Sequence, residues 1–490
     1  MLLKKISESA FYSLYLAAIL LTYWVKDNAF FWDTIQLAAR HAHFYFENNF
    51  ESFFLPEAID SGHPPTFGIY LAVVWKWLGK SLAASHFAML PFLLGIIFFT
   101  KKIANLFFQS AQWQFAFVLL LMLDPCFLGQ AALVTPDIVI VLFFLMSVYG
   151  VVSQRKVILM IGIIGLSLTS MRGYMIGGGI FLFDMLNEWL IHRQKSLVLL
   201  FKKIIPYLPG GMLAIIFLGL HYQHTRWIGY HEGSPWAPAF ERVDLMGAVK
   251  NVGLIVWRML DFGRVFLWIA ILFIGIKFLR KKIKLDATSK QLLLLFVALI
   301  IFLCPSLIIH QNLTGHRYLL PLFIVVDFLA MYWVYYLTVS LRQIIPPQRV
   351  KSTFQIPFLT LIFLGLFTGN FWVYPKQIAQ GWDSTLAHLP YYDLRNQMKS
   401  YLHKEQIPFE AVGSVFPNVV PFRYTDLENT MDSFSKKDLK NQHYIFYSNV
   451  FNDFSDDELE ELENHWQIKK EFRKMNVCVV LYTKELKVEN

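Results

Sequence analysis

Charged residues are scarce in this 490-residue chain, where Asp, Glu, Lys and Arg together make up 16% of the sequence. An ordinary soluble domain contains about 25%. Hydrophobic residues make up 56% and aromatic residues 17%. The apolar residues occur in long runs, such as 329–341 and 356–373, and about 20 of them cross a bilayer. The composition therefore predicts a polytopic integral membrane protein.

Cysteine is also rare, because only Cys126, Cys304 and Cys478 occur, far apart and in apolar segments. This spacing predicts neither a disulfide framework nor a metal site.

The net charge of +9 is unevenly distributed along the chain. Residues 1–374 contain 30 Lys and Arg against 17 Asp and Glu, and residues 375–490 contain 14 against 18. The basic excess belongs to the apolar part, where it sets topology and meets membrane lipids. No aromatic-interleaved basic stripe accompanies it, so a nucleic-acid partner is not expected.

Basic clusters beside the apolar runs predict the topology, because cytoplasmic loops are rich in Lys and Arg. The first run follows Lys4 and Lys5 and has no cleavage site after it, so it is interpreted as a retained span with a cytoplasmic N-terminus. The apolar segment 64–79 is short and interrupted by Lys76, which favours a helix on the outer membrane surface. All basic clusters, including 342–351, then fall inside. About eleven spans result, at 8–25, 84–100, 112–131, 137–153, 157–171, 174–190, 204–221, 263–279, 289–309, 318–341 and 354–373.

Two domains follow from the change in composition. Residues 1–374 form a mainly α-helical transmembrane domain, with a long outer loop at 222–262. Residues 375–490 form a small extracytoplasmic α/β domain, with strands expected at 410–416, 443–450 and 477–484. A helix should begin after Ser455, which precedes several acidic residues. We expect a bacterial inner membrane, with the C-terminal domain in the periplasm.

Two acids are predicted to lie at the outer ends of spans. Asp33 follows the first span, and Asp137 opens the fourth, after Thr135 and Pro136. Each has a structural alternative, since Asp commonly caps a helix N-terminus. Ionisable residues at one face of an apolar chain are nevertheless the first candidates for function. Both are therefore candidate catalytic residues.

Several basic residues are predicted at the same face. Arg172 lies between two spans, and Arg317 precedes Tyr318 at the start of a late span. Arginine favours bidentate phosphate binding, so these two residues together predict a phosphate cradle at the depth of lipid headgroups. His63, before two prolines, could contact the same phosphate or simply lie at the interface.

The long outer loop contains a possible metal-ligand set of His221, His224, His231 and Glu232. Its spacing matches no standard zinc site, and an acceptor-facing or purely structural loop is the alternative. A divalent metal therefore stays open as a cofactor, and no other cofactor is predicted.

The order of these features resembles the GT-C superfamily of glycosyltransferases, especially the protein O-mannosyltransferases and the lipid A aminoarabinose transferases. The likeness covers roughly residues 8–340. It is carried by Asp33 in the first outer loop, by His-Pro-Pro before the surface helix, by Thr-Pro-Asp at 135–137 and by Arg-Tyr-Leu-Leu-Pro at 317–321. It implies transfer of a sugar, with inversion, from a polyprenyl-phosphate donor to a protein, lipid or glycan acceptor at the non-cytoplasmic face.

The resemblance also implies roles for individual residues. Asp33 matches the candidate general base, and Asp137 matches a second acid that positions acceptor or donor. His63 falls where a basic residue, often Lys, contacts the donor phosphate, while Arg172 and Arg317 fall near residues that neutralise it. Thr34 departs from the pattern, because an acidic residue usually follows the first Asp.

Two other functions stay open. A transporter or flippase of lipid-linked glycans would require charged or discontinuous helices near the middle of the membrane. A membrane-anchored assembly or binding protein would act through its C-terminal domain.

Overall fold

The computed structural model describes residues 2–193, 196–234, 237–280, 284–311, 314–344, 355–375, 378 and 380–484, which are mainly helical. The predicted basic cluster 342–351 lies largely outside these residues. The α-helices are α1 (Leu2–Val25), α2 (His41–Glu47), α3 (Thr66–Leu78), α4 (Leu82–Phe87), α5 (Leu90–Phe107), α6 (Ala111–Leu123), α7 (Pro125–Ala131), α8 (Pro136–Val152), α9 (Lys156–Thr169), α10 (Met171–Leu186), α11 (Leu197–Ile204), α12 (Leu208–Thr225), α13 (Leu245–Leu260), α14 (Val265–Leu279), α15 (Ala287–Ile309), α16 (Leu320–Ile344), α17 (Gln355–Gly369), α18 (Pro390–Lys404), α19 (Phe422–Thr425) and α20 (Asp456–His465).

Every predicted span coincides with a helix or a pair of helices. Within the described residues, four helical stretches are long and apolar enough to cross a membrane, namely Leu82–Phe107, Phe201–Thr225, Ala287–Ile309 and His316–Ser340. The number rises to six if each of two bent helix pairs forms one span, and shorter apolar helices include α3, α8 and α9. The count of about eleven spans therefore stays a prediction.

Helix α3 occupies the segment that the sequence predicted as a surface helix. Pro65 directly precedes it, consistent with the preference for proline at the start of a helix. Its buried face includes Leu71 and Trp75, whereas Trp77 is 83% exposed. Its place along the outer membrane surface stays a prediction.

The predicted span at 112–131 corresponds to a bent pair of helices, because α6 and α7 meet at an angle of 67°. Asp124 ends α6, and its carboxylate accepts a hydrogen bond from the backbone of Phe127 at the start of α7. Pro125 has no backbone N–H with which to continue the helix. An N-cap followed by proline therefore starts a new helix in a new direction.

The expected long loop at 222–262 also contains a helix, α13, which meets α14 at 92°. Asp244 caps it by accepting from the backbone N–H of Gly247. Leu245, Val249 and Val256 recur on one exposed apolar face. The interpretation of this segment as a loop missed that periodicity.

The C-terminal part contains a five-stranded sheet with strand order β2-β1-β3-β5-β4. Strand β1 pairs in parallel with β2 and β3, and β5 pairs antiparallel with β3 and β4. The strands are β1 (Val412–Ser414), β2 (Ser435–Lys436), β3 (Tyr444–Ser448), β4 (Gln467–Lys474) and β5 (Val477–Thr483). The three predicted strands are confirmed as β1, β3 and β5, and Ser455 caps α20 as predicted.

The described hydrophobic residues form two large clusters. The larger is the core of the helical part. The smaller is the core of the C-terminal sheet and helices, and it also contains Phe31 and Leu133 from the helical part. Segments near Asp33 and Asp137 are thus packed against the C-terminal domain. The predicted boundary between residues 374 and 375 is not tested by this packing.

Candidate active site

Asp33 and Arg317 are in direct contact, although their positions in the sequence differ by 284. Asp33 lies directly before a π-helical segment, Ile35–Arg40, and Arg317 lies in the 3-10 turn His316–Leu319 that leads into α16. Nη2 of Arg317 donates to Oδ2 of Asp33 and, at 3.0 Å, to the hydroxyl of Tyr318. The Asp33 side chain is 25% exposed, so an incoming molecule can reach it.

Asp137 and Arg172 form the second contact of this kind. Asp137 lies in the first turn of α8, where Thr135 is the N-cap. Its Oδ1 lies 2.6 Å from Nη1 of Arg172, and its Oδ2 accepts from the Thr135 hydroxyl at 3.1 Å. Only 4% of the Asp137 side chain is exposed. Asp137 is therefore a buried carboxylate paired with Arg172, unlike the part-exposed Asp33.

The two ion pairs are joined through the start of α16. Nη1 of Arg172 donates to the backbone carbonyl of Arg317 at 3.0 Å. The ring of Tyr318 lies between the two guanidinium groups, 4.8 Å from Arg172 and 5.0 Å from Arg317. Asp33, Asp137, Arg172, Arg317 and Tyr318 thus form one cluster.

Thr34, which replaces the usual acidic residue after Asp33, has a structural role. Its hydroxyl accepts from the backbone N–H of Phe31 at 2.8 Å and donates to the Phe31 carbonyl at 2.7 Å. These bonds close the turn that presents Asp33. The hydroxyl therefore shapes the loop and adds no charge to the cluster.

His63 is close enough to Arg172 and Asp137 for their charges to act on it. Burial, together with the positive charge of Arg172, lowers the pKa of His63 to about 4. Its Nδ1 is buried without a hydrogen-bond partner among the described residues. His63 is therefore neutral at pH 7, and the positive charge of the cluster comes from Arg172 and Arg317.

A third carboxylate, Asp383, joins the cluster from the segment between α17 and α18. Its Oδ2 lies 3.3 Å from Nη1 of Arg317. Burial raises the pKa of Asp383, and the negative charges of Asp33 and Asp137 raise it further, against the opposing effect of Arg317. The sequence analysis did not single out Asp383. No local pattern marks Asp383, because its partners are distant in the chain.

The candidate metal ligands of the long loop do not come together. His221 contacts Asp60 at 3.0 Å, His231 lies 3.4 Å from Glu57, and His224 stacks on the ring of Phe54. Glu232 is exposed. Across the described ranges, no three His, Cys, Asp or Glu side chains form a group that could hold a metal ion. These histidines instead tie the loop to the segment 54–60.

The chain is similar in structure to two crystal structures of ArnT from Cupriavidus metallidurans, a lipid A aminoarabinose transferase with the GT-C fold. Against the structure bound to undecaprenyl phosphate, the TM-score is 0.50 at 12% identity, covering 96% of this chain and 97% of the other. Against the apo structure, the TM-score is 0.51 at 12% identity, covering 97% and 98%. No protein-family model matches the sequence, and no curated protein matches it. At this identity the likeness establishes the fold, and the predicted fold class is confirmed.

Proposed function

We propose, with the GT-C fold as the premise, that this chain is a membrane glycosyltransferase that takes a sugar from a polyprenyl-phosphate carrier. The acceptor is a protein, lipid or glycan at the outer face of the membrane. The proposed setting is a bacterial inner membrane, with the N-terminus in the cytoplasm and the C-terminal domain in the periplasm. The similar ArnT structure contains undecaprenyl phosphate, which supports a polyprenyl carrier as the donor.

One observation carries this proposal, namely that Asp33 and the two arginines meet at the start of α16. Transfer from a lipid phosphate needs positive charge where negative charge develops on the leaving group. It also needs a carboxylate within reach of the acceptor's proton. Arg172 and Arg317 supply the positive charge, and the part-exposed Asp33 supplies the carboxylate.

The proposed reaction is a single inverting displacement. The acceptor oxygen or nitrogen forms a bond to the anomeric carbon while its proton passes to the Asp33 carboxylate. The bond between that carbon and the phosphate oxygen breaks, and its electron pair leaves with the polyprenyl phosphate. Arg172 and Arg317 stabilise the resulting charge. Asp137 holds Arg172 in place, so it acts by positioning.

A flippase for lipid-linked glycans is the second candidate, because two helix pairs are bent and carry charges at their breaks. Asp124 lies at the α6–α7 break, and Arg264 lies at the α13–α14 break. Their side chains are 0% and 1% exposed and bind each other. Because this ion pair is buried and its two charges already bind each other, it is better suited to hold the two bends than to bind a transported lipid. This favours the transferase.

The test is the Asp33→Asn variant, assayed in membranes with the lipid-phosphate sugars extracted from the same cells. We expect transfer to fall roughly 100-fold or more, because the proton acceptor is lost, while binding of undecaprenyl phosphate persists. Asp393→Asn is the matched control, since Asp393 is an exposed carboxylate paired with Lys474. Mass spectrometry of surface glycans from a deletion strain identifies the acceptor.

Unchanged transfer by Asp33→Asn would remove this residue as the base. Movement of intact lipid-linked glycans between leaflets, with no sugar transferred by the unaltered protein, would instead support the flippase.

A further inference from the structure

We propose that Asp383 is a positioning residue that controls how readily Arg317 leaves Asp33 to bind the phosphate of the donor. The C-terminal domain takes part in the reaction through this residue. This inference rests on the proposed function and gives a role to a domain whose sequence carries no catalytic signature.

The argument begins with the guanidinium group of Arg317, whose two terminal nitrogens are engaged by different carboxylates. Nη2 binds Asp33, and Nη1 lies 3.3 Å from Asp383. A phosphate that binds Nη1 and Nη2 together, in the bidentate manner that arginine favours, must replace one or both carboxylates. Replacement at Nη2 has a second effect. It frees the Asp33 oxygen, which must take up the proton that the incoming sugar acceptor releases. Binding of the donor and release of the base are then one event.

Asp383 is held in place from both sides. Its backbone carbonyl accepts a hydrogen bond from Nε2 of Gln130 in α7 at 2.8 Å. The neighbouring Trp382 is 3% exposed and belongs to the core of the C-terminal domain. Gly129 permits the close approach, since a Cβ there would lie 2.7 Å from the Asp383 carbonyl oxygen. The carboxylate therefore occupies a fixed position.

The same core also holds the loop of Asp33. Phe31 is 1% exposed and stacks on His388, with ring centroids 5.2 Å apart and planes 9° apart. The backbone N–H of Phe30 donates to the carbonyl of Thr425 at 2.8 Å. Both carboxylates that hold Arg317 are thus placed by the C-terminal domain, whereas Arg317 lies in the turn that leads into α16.

The charges around Asp383 determine how it responds to pH. Arg317, Asp33, Asp137 and His316 all act on it, and the Ser384 hydroxyl lies 3.4 Å from its Oδ1. Burial and the two acids raise the pKa of Asp383 above that of a free aspartate. Protonation therefore begins at a higher pH than for an exposed aspartate, and it removes one of the two anions that compete for Arg317.

The test measures binding of undecaprenyl phosphate to the full-length protein in nanodiscs between pH 4.5 and 8. At pH 8 the Asp383→Asn variant should bind about three- to tenfold more tightly than the unaltered protein, because one competing carboxylate is neutral. This ratio should approach one at low pH, where Asp383 of the unaltered protein is itself protonated. Taking the ratio at each pH cancels the ionisation of the lipid phosphate.

Two further variants test whether the change in binding is specific to the carboxylate of Asp383. Asp383→Glu restores a carboxylate and should restore the pH dependence. Asp453→Asn removes the same charge from another carboxylate of the C-terminal domain, which lies at the surface and whose pKa is likewise raised. It should leave binding unchanged at every pH. Size-exclusion chromatography and thermal unfolding verify that each variant folds.

The outcomes separate this inference from the proposed function. If the unaltered protein binds the lipid phosphate but Asp383→Asn binds equally or less tightly at pH 8, only the role of Asp383 is overturned. If Asp453→Asn tightens binding as much as Asp383→Asn does, the effect comes from the general loss of negative charge and the specific role of Asp383 is overturned. If the unaltered protein does not bind the lipid phosphate, both the proposed function and this inference fail.

Discussion

Asp124 and Arg264 form a bidentate ion pair in the interior of the helical part, with both N–O distances at 2.8 Å. Each lies at the break of a bent helix pair, so one contact holds two bends. The guanidinium of Arg264 also lies over the ring of Phe323, 3.9 Å from its centroid. Helix α7, which begins at this pair, carries Gln130 to the backbone of Asp383. The pair is therefore part of the frame of the candidate active site.

Removing one partner of this pair should destabilise the protein strongly. Asp124→Asn keeps an N-cap residue but removes the bidentate partner of the buried Arg264, which leaves only Asp261 at 3.7 Å; breaking a buried pair costs about 3–5 kcal/mol. We expect a lower unfolding midpoint in detergent, measured by tryptophan fluorescence. The double variant Asp124→Asn with Arg264→Met should recover much of the loss, because the buried guanidinium is removed together with its partner. Equal loss in the single and double variants would show that charge burial is not the cause.

Adding a methyl group at Gly129 should displace the segment of Asp383. A Cβ there would lie 2.6 Å from the backbone nitrogen of Thr385 and 2.7 Å from the Asp383 carbonyl oxygen. Both are backbone atoms, so the contact cannot be relieved by turning a side chain. We expect Gly129→Ala to cost about 1–3 kcal/mol of stability and to reduce sugar transfer more than tenfold.

Gly211→Ala in α12 is the control for that variant, because no atom of the described residues lies within 4 Å of its added Cβ. Alanine also favours a helix over glycine by about 1 kcal/mol. Transfer and stability should therefore be retained. Full transfer by Gly129→Ala would argue that the position of Asp383 is unimportant.

Stability should fall as the pH is lowered from about 6.5 to about 4. Burial lowers the pKa of His41, His63 and His388 to about 4, against about 6.5 in the unfolded chain. Between these values the unfolded state binds more protons, so acid favours unfolding. We expect the unfolding midpoint to drop by roughly 5 °C or more over this range.

The His41→Gln variant should make that decline shallower, since it removes one of these contributions. Its amide can still donate to the carbonyl of Ile59, which the imidazole contacts at 2.9 Å. His443→Gln, at an exposed position, should leave the slope unchanged. A midpoint that does not change between pH 6.5 and 4 would contradict the buried, neutral state of these histidines.

The features that could be predicted from the sequence are those that depend on residues close together in the chain. The apolar runs predicted the positions of the helices. The position of α3 was predicted by the Pro-Pro pair and the short apolar segment that follows it. Asp33, Asp137, Arg172 and Arg317 were expected together because each ends or begins a span on the same predicted side. In the structure these residues contact one another, and their chemical roles stay predictions.

The features that were missed depend on contacts between distant segments. Asp383 sits in an ordinary stretch of sequence and becomes notable only through Arg317. The bend at Asp124 depends on Arg264, which the sequence analysis did not connect to it. Strand β4 was not predicted either, because its alternating charged residues lack an apolar face, and its pairing with β5 decides its conformation.

The stacking of Phe31 on His388 has a consequence for biosynthesis. Phe31 leaves the ribosome before the segments of the C-terminal core that receives it, and that core is complete only after β5. A nascent chain that has not yet reached β5 therefore still lacks the support that presents Asp33. Under the proposed function, such a partly synthesised chain would be unable to act on the lipid carrier.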